Sequence, residues 1–119
     1  MQVQMVKSKL HRATLTDCVL EYEGSLAIDL ELLEAVGMLP YEKILVVNQT
    51  NGQRLETYAI PGPRGGRAFC LNGAAARCGH PGDMLTVMSF GILEQAEADG
   101  FRPRVAILGP QNHILELKS

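Results

Sequence analysis

No basic excess marks this chain of 119 residues. Eleven Lys and Arg stand against thirteen Asp and Glu, a net charge of −2, and no cluster of basic residues carries interleaved aromatics, which make up only 5% of the sequence. The electrostatic footprint of a phosphate backbone is missing, so nucleic acid is excluded as the expected partner. Cysteine is scarce: Cys18, Cys70 and Cys78 are an odd number without C-x-x-C spacing. That fits neither a disulfide framework nor a structural zinc site, and it assigns them as reduced, mostly buried thiols with no metal. Long apolar runs are missing too, none approaching the roughly 20 residues that a bilayer-crossing helix needs. The first residues lack the apolar core and cleavage pattern of a leader, so no membrane partner and a cytoplasmic address are expected. No internal repeat or low-complexity tract interrupts the chain.

What is present is an ordinary globular composition, 46% hydrophobic and 20% charged, which predicts a single domain over 1–119. A domain of this size buries very roughly 65% of its unfolded surface, enough to fold without staples, while subunit contacts would add to a modest core.

Along the chain, Val3, Met5, Lys7, Lys9 and His11 fall at alternate positions, the pattern of one strand or two joined strands. Lys9 and His11 then share a face; either alone is an ordinary solvated or packing residue, and together they offer an anion site. Asp29 caps a short helix carrying Leu32, Leu33 and Val36, with Gly37 as its stop. Ile44–Val47 and Arg54–Ile60 are strand patterns joined through Asn51-Gly52, a strong hairpin signal. Period-2 geometry sets Arg54, Glu56, Tyr58 and Ile60 on one face of the second arm and Leu55, Thr57 and Ala59 on the other, so Arg54 and Tyr58 are expected to reach one site. The run from Pro61 to Arg67 reads as a loop with solvated arginines.

A strand over Phe69–Leu71 meets Asn72-Gly73 and then Ala74, Ala75 and Ala76. This stretch is either a helical turn whose free N–H groups hold a carboxylate or a tight turn of closely packed alanines. Met84–Phe90, Val105–Leu108 and Ile114–Leu117 complete the strands, and Glu94–Asp99 is a short helix or a polar loop. Many short strands with frequent turns predict a compact, mainly β domain, a closed barrel with small helices.

Six stretches, taken together and in order, resemble the pyruvoyl-dependent aspartate 1-decarboxylase family: Lys9-Leu10-His11-Arg12-Ala13-Thr14, Tyr22-Glu23-Gly24-Ser25, Ala27-Ile28-Asp29, Asn51-Gly52, Thr57-Tyr58-Ala59-Ile60 and Asn72-Gly73-Ala74-Ala75-Ala76. The resemblance runs from about Val6 to Phe90. It implies a six-stranded double-psi β-barrel, a homotetramer with sites near subunit interfaces, and conversion of L-aspartate to β-alanine and carbon dioxide for pantothenate synthesis.

It further implies self-cleavage. The Ser25 hydroxyl attacks the Gly24 carbonyl, the resulting ester is eliminated and hydrolysed, and chains 1–24 and 25–119 remain with a covalent pyruvoyl cofactor at position 25. Glycine at position 24 suits this because it leaves the carbonyl unobstructed and tolerates unusual dihedrals. Thr57 is expected to support the charge developing on the Gly24 carbonyl. Tyr58 is the expected proton donor in turnover, since a phenol is protonated at neutral pH and can still donate to a strongly basic carbon. Lys9, His11, Arg54, Thr57, Asn72, Gly73, Ala74 and Ala75 are the expected substrate-binding residues, with Arg54 placed on the side-chain carboxylate because gripping the departing one would stabilise the ground state. Strand alternation points Thr57 away from Tyr58, so their joint use needs a twist, bulge or backbone role. Departures from the family's commonest wording at Asp17-Cys18-Val19, Leu26 and Val47 bear on pocket lining and cleavage speed. The resemblance leaves room for a maturation helper protein. Two rivals stand beside it: a non-catalytic double-psi barrel that binds a partner, and a pyruvoyl decarboxylase of another amino acid.

Overall fold

The longest strand organises the molecule. In the computed structural model, which describes residues 1–119, β1 (Gln2–Thr14) pairs antiparallel with β7 (Met84–Glu94) and parallel with β8 (Arg104–Leu108). Its alternation is that of one strand: Ser8 and Leu10 are buried while Lys7, Lys9 and His11 are half-buried. Two register shifts bend it, and Arg12 takes a left-handed φ of 65° inside the second. Bulges of this kind increase local twist and let one strand serve two neighbours.

The remaining strands are β2 (Asp17–Val19), β3 (Ser25–Asp29), β4 (Lys43–Asn48), β5 (Arg54–Gly62), β6 (Phe69–Asn72) and β9 (Ile114–Lys118). They run in the order β2-β6-β3-β5-β4-β7-β1-β8-β9. The mainly β architecture matches the sequence reading, but nine strands are present, and the pairing ends at β2 and β9 instead of closing on itself. Nineteen buried hydrophobic residues form one cluster, with Phe69, Leu10, Leu26 and Ile28 fully enclosed. No helix is long and apolar enough to cross a membrane.

Helix α1 (Leu30–Val36) has the predicted caps. The Asp29 carboxylate accepts from Glu31 N–H at 2.9 Å, and Gly37 ends the helix at φ 70°. Asp29, fully buried, also accepts from Gly65 N–H and Arg67 N–H, which ties the 63–67 loop to the start of α1. The loop is shorter than predicted, because Pro61 and Gly62 complete β5. Its arginines are engaged: Arg64 forks onto Glu34 at 2.7 and 3.0 Å and Arg67 reaches the Asn112 carbonyl. The three cysteines are free but only half-buried. β4 and β5 form the predicted hairpin, from Lys43 opposite Tyr58 to Val47 opposite Arg54. Helix α2 covers Gln95–Ala98, and Gly73–Cys78 wind into a 3-10 helix.

Candidate functional site

Ser25 begins β3, directly across from Asn72 at the end of β6. Both are buried, Ser25 at 1% exposure. The Asn72 Nδ2 donates to Ser25 Oγ at 3.2 Å, Ser25 Oγ donates to the Glu23 carbonyl at 3.2 Å, and Asn72 Oδ1 accepts from Cys70 Sγ at 3.2 Å. Burial raises the Cys70 thiol pKa, with Asp17 and Cys18 adding to it, which keeps Cys70 a protonated donor. The amide is thereby turned nitrogen-first toward the serine, leaving the 3-10 helix after it without a side-chain cap.

The conformational demand expected at Gly24 falls on its neighbour across the turn. Gly24 is not left-handed, and a Cβ there would meet only the Asn72 carbonyl oxygen at 4.0 Å. Gly73 has φ 68°, and its Cβ would lie 2.7 Å from Gly24 N and 2.8 Å from Gly24 Cα and the Tyr22 carbonyl oxygen. Only glycine fits so close a backbone approach.

The Gly24–Ser25 bond lies between two clefts. One, of about 270 Å3, is lined by Ser25 with Tyr22, Glu23, Tyr41, Tyr58 and Ile60. The other, of about 330 Å3, is lined by Gly24 with Thr57, Leu55, Ala74, Ala75 and Cys78. Alternation along β5 therefore places Thr57 beside Gly24 and Tyr58 beside Ser25, with no bulge at either residue. No hydrogen bond joins Thr57 to the Gly24 carbonyl; the two share a cleft.

Lys9, His11 and Arg54 line neither cleft. Arg54 is four residues along β5 from Tyr58, about 13 Å at strand rise, and of the two only Tyr58 lines the Ser25 cleft. His11 is also a poor cation: burial lowers its pKa first, then Lys9, Arg12 and Lys118, while its Nδ1 lies 3.3 Å from Thr86 Oγ1.

A sequence profile described as aspartate decarboxylase matches residues 1–115. The chain belongs to the aspartate decarboxylase family. It is 50% identical over 118 residues to the aspartate 1-decarboxylase of Pelotomaculum thermopropionicum, covering 99% of this chain and 89% of that one. The Chlorobium chlorochromatii aspartate 1-decarboxylase is 51% identical over 113 residues, 95% of this chain and 88% of its own. That of Bacillus subtilis is 50% identical over 113 residues, 95% and 89% of the two chains.

Within this family member, sequence reasoning missed two neighbours of the serine. Cys70 reaches it through Asn72, two residues along β6 and so on the same face, a period-2 relation that the sequence carries. Tyr41 stacks on Tyr58, ring centroids 6.2 Å apart. Pro40 marks a turn ahead of β4 but fits type I and type II alike, so it gave no sign of a left-handed Tyr41.

Proposed function

We propose that the chain cleaves itself between Gly24 and Ser25, leaving 1–24 and 25–119, and that the pyruvoyl group so formed decarboxylates L-aspartate to β-alanine for pantothenate synthesis. The observation that carries this is the buried Ser25 hydroxyl, gripped by Asn72 beside a Gly24 on which the left-handed Gly73 is pressed. Asn72 removes rotational freedom from the nucleophile, an advantage of orientation already met before reaction. Thr57, on the other side of the bond, supports the carbonyl oxygen as charge develops on it.

The donor set fits a pyruvoyl group at position 25. Asn72 Nδ2 would hold it, and Gly24 and Gly73 leave the backbone there unobstructed. Bound there, the ketone supplies an electron sink for decarboxylation. Tyr58, walling the Ser25 cleft, holds the proton that is returned to the substrate Cα. Ala74 and Ala75 line the adjoining cleft, where the Gly73, Ala74 and Ala75 backbone receives a substrate carboxylate.

Lys9, His11 and Arg54 face neither cleft of their own chain. This supports a homotetramer in which such groups complete a neighbour's site, Arg54 taking the side-chain carboxylate as a planar fork. We also read a six-stranded double-psi β-barrel as the centre of the nine-stranded sheet. The parallel pairings β3–β5 and β1–β8 between non-consecutive strands support that reading.

Intact-mass measurement of the purified chain tests the proposal. Two fragments, the larger with a carbonyl-reactive N-terminus, are expected, with β-alanine and carbon dioxide formed from aspartate and no carbon dioxide released from glutamate. A chain that stays whole, even with cell extract added as a source of a maturation helper, would overturn it.

A further inference from the structure

Tyr41 stands where the backbone asks for another residue. Glu42 N–H donates to the Leu39 carbonyl at 3.1 Å, closing a turn with Pro40 second and Tyr41 third, at φ 70°. This is the pattern of a type II turn, whose third position goes to Gly or Asn because a Cβ crowds the left-handed backbone. A bulky side chain there is an outlier that persists only where its surroundings over-determine it.

They do so here. Tyr41 N–H donates to the Ala59 carbonyl at 2.7 Å and Ala59 N–H to the Glu42 carbonyl at 3.0 Å, fastening the turn to β5 next to Tyr58. The Glu42 carboxylate accepts from Leu39 N–H at 2.8 Å and pairs with Lys7 Nζ at 2.8 Å. So fixed, the Tyr41 ring lies against that of Tyr58 with planes inclined by 28°, and both wall the cleft that holds Ser25. Tyr41 is 76% exposed, so burial of its own surface does not account for the strained choice. What the ring does contact is Tyr58.

We propose that Tyr41 is a positioning residue, its strained turn holding an aromatic ring against Tyr58 so that the phenol stays directed into the Ser25 cleft. The inference rests on reading Tyr58 as the proton donor. Tyr58 is only half-buried, so without a ring beside it the side chain has staggered alternatives that carry its hydroxyl away from the cleft. A stacked neighbour disfavours those alternatives through its ring contact.

The test compares Tyr41→Asn, Tyr41→Gly and Tyr41→Phe with the parent in the full-length protein. The chain contains three tyrosines, so tyrosine labelled with 13C at Cζ alone gives three NMR signals assignable by substitution. The Tyr58 signal is expected to shift and broaden in Tyr41→Asn and to stay in place in Tyr41→Phe. Melting temperature should hold or rise in the Asn and Gly variants, because the left-handed position suits them. Cleavage at residue 24 should proceed unchanged, while kcat for aspartate falls about tenfold in Tyr41→Asn, with KM within about twofold, and recovers in Tyr41→Phe. An unmoved Tyr58 signal with unchanged kcat overturns the inference; so does a loss confined to KM, or a loss explained by lowered melting temperature. Failure of the parent to cleave or to decarboxylate aspartate overturns the functional reading instead, and the NMR and melting arms still decide whether Tyr41 orders Tyr58.

Discussion

Asn72 and Ser25 face each other across β6 and β3, both buried, with the amide nitrogen 3.2 Å from the hydroxyl oxygen. A serine so held, with its Oγ also donating to the Glu23 carbonyl, cannot rotate freely. Ser25→Ala should therefore abolish both chain cleavage and decarboxylation. Asn72→Ala should slow cleavage roughly 10- to 100-fold, since it frees the nucleophile without removing it. Time-resolved intact mass at constant temperature reads both; cleavage of Ser25→Ala at any rate would sink the assignment.

Gly73→Ala is expected to be far more damaging than its chemistry suggests. Its Cβ would lie 2.7 Å from Gly24 N, on a backbone already at φ 68°. Gly82 is a control, left-handed at φ 98° with nothing within 4 Å of its would-be Cβ. Gly82→Ala should cost only the dihedral, about 1–2 kcal/mol. Gly73→Ala should cost more in denaturant unfolding and also impair cleavage, because relief of the clash moves Gly24. Equal unfolding costs in the two variants would contradict the close approach.

Thr57 and Tyr58 are adjacent in sequence but belong to different clefts, with Gly24 and with Ser25 respectively. Their substitutions should thus separate maturation from turnover. Thr57→Val is expected to slow cleavage by about 10²-fold, as loss of an oxyanion donor does. Tyr58→Phe should cleave normally and lose about 10²–10⁴ in kcat, the range for a general acid. If Tyr58→Phe blocked cleavage instead, the division of labour between the clefts would be wrong.

Local chemistry was legible in the sequence, and long-range placement was not. Asp29 and Gly37 cap α1, and Asn51-Gly52 turns the β4–β5 hairpin, because such signals act within a few residues. The glycine-alanine stretch after Asn72 became a 3-10 helix, as one of its two readings expected. By contrast, the parallel pairing of β1 with β8 joins residues about a hundred positions apart and leaves no periodic trace. The same holds for Asn72, expected from the sequence to bind substrate, whose amide the β3–β6 register also sets on the Ser25 hydroxyl. Alternation placed Arg54 and Tyr58 on one face but carried no information on which of them walls the Ser25 cleft. The Tyr41 turn was hidden because its left-handed position carries neither Gly nor Asn.

His11 gives a pH dependence whose sign follows from its surroundings. Burial lowers its pKa below the ordinary 6.5, and Lys9, Arg12 and Lys118 lower it further. The charges that act on it are those of Lys9, Arg12 and Lys118, and its ring nitrogen meets the neutral Thr86 hydroxyl. When the folded pKa of a base lies below its unfolded one, the unfolded chain binds the proton more readily between the two values. The His11 contribution to stability is thus fully present above pH 6.5, is lost as pH falls below that value, and levels off once the lowered folded pKa is passed. Unfolding free energies measured from pH 8 to pH 5 should accordingly fall more steeply for the parent than for His11→Gln, which keeps a polar side chain near Thr86 but cannot titrate. Matching slopes would show that His11 is not held neutral. A steeper fall in the variant would show it held as a cation, the role the sequence alone suggested for it beside Lys9.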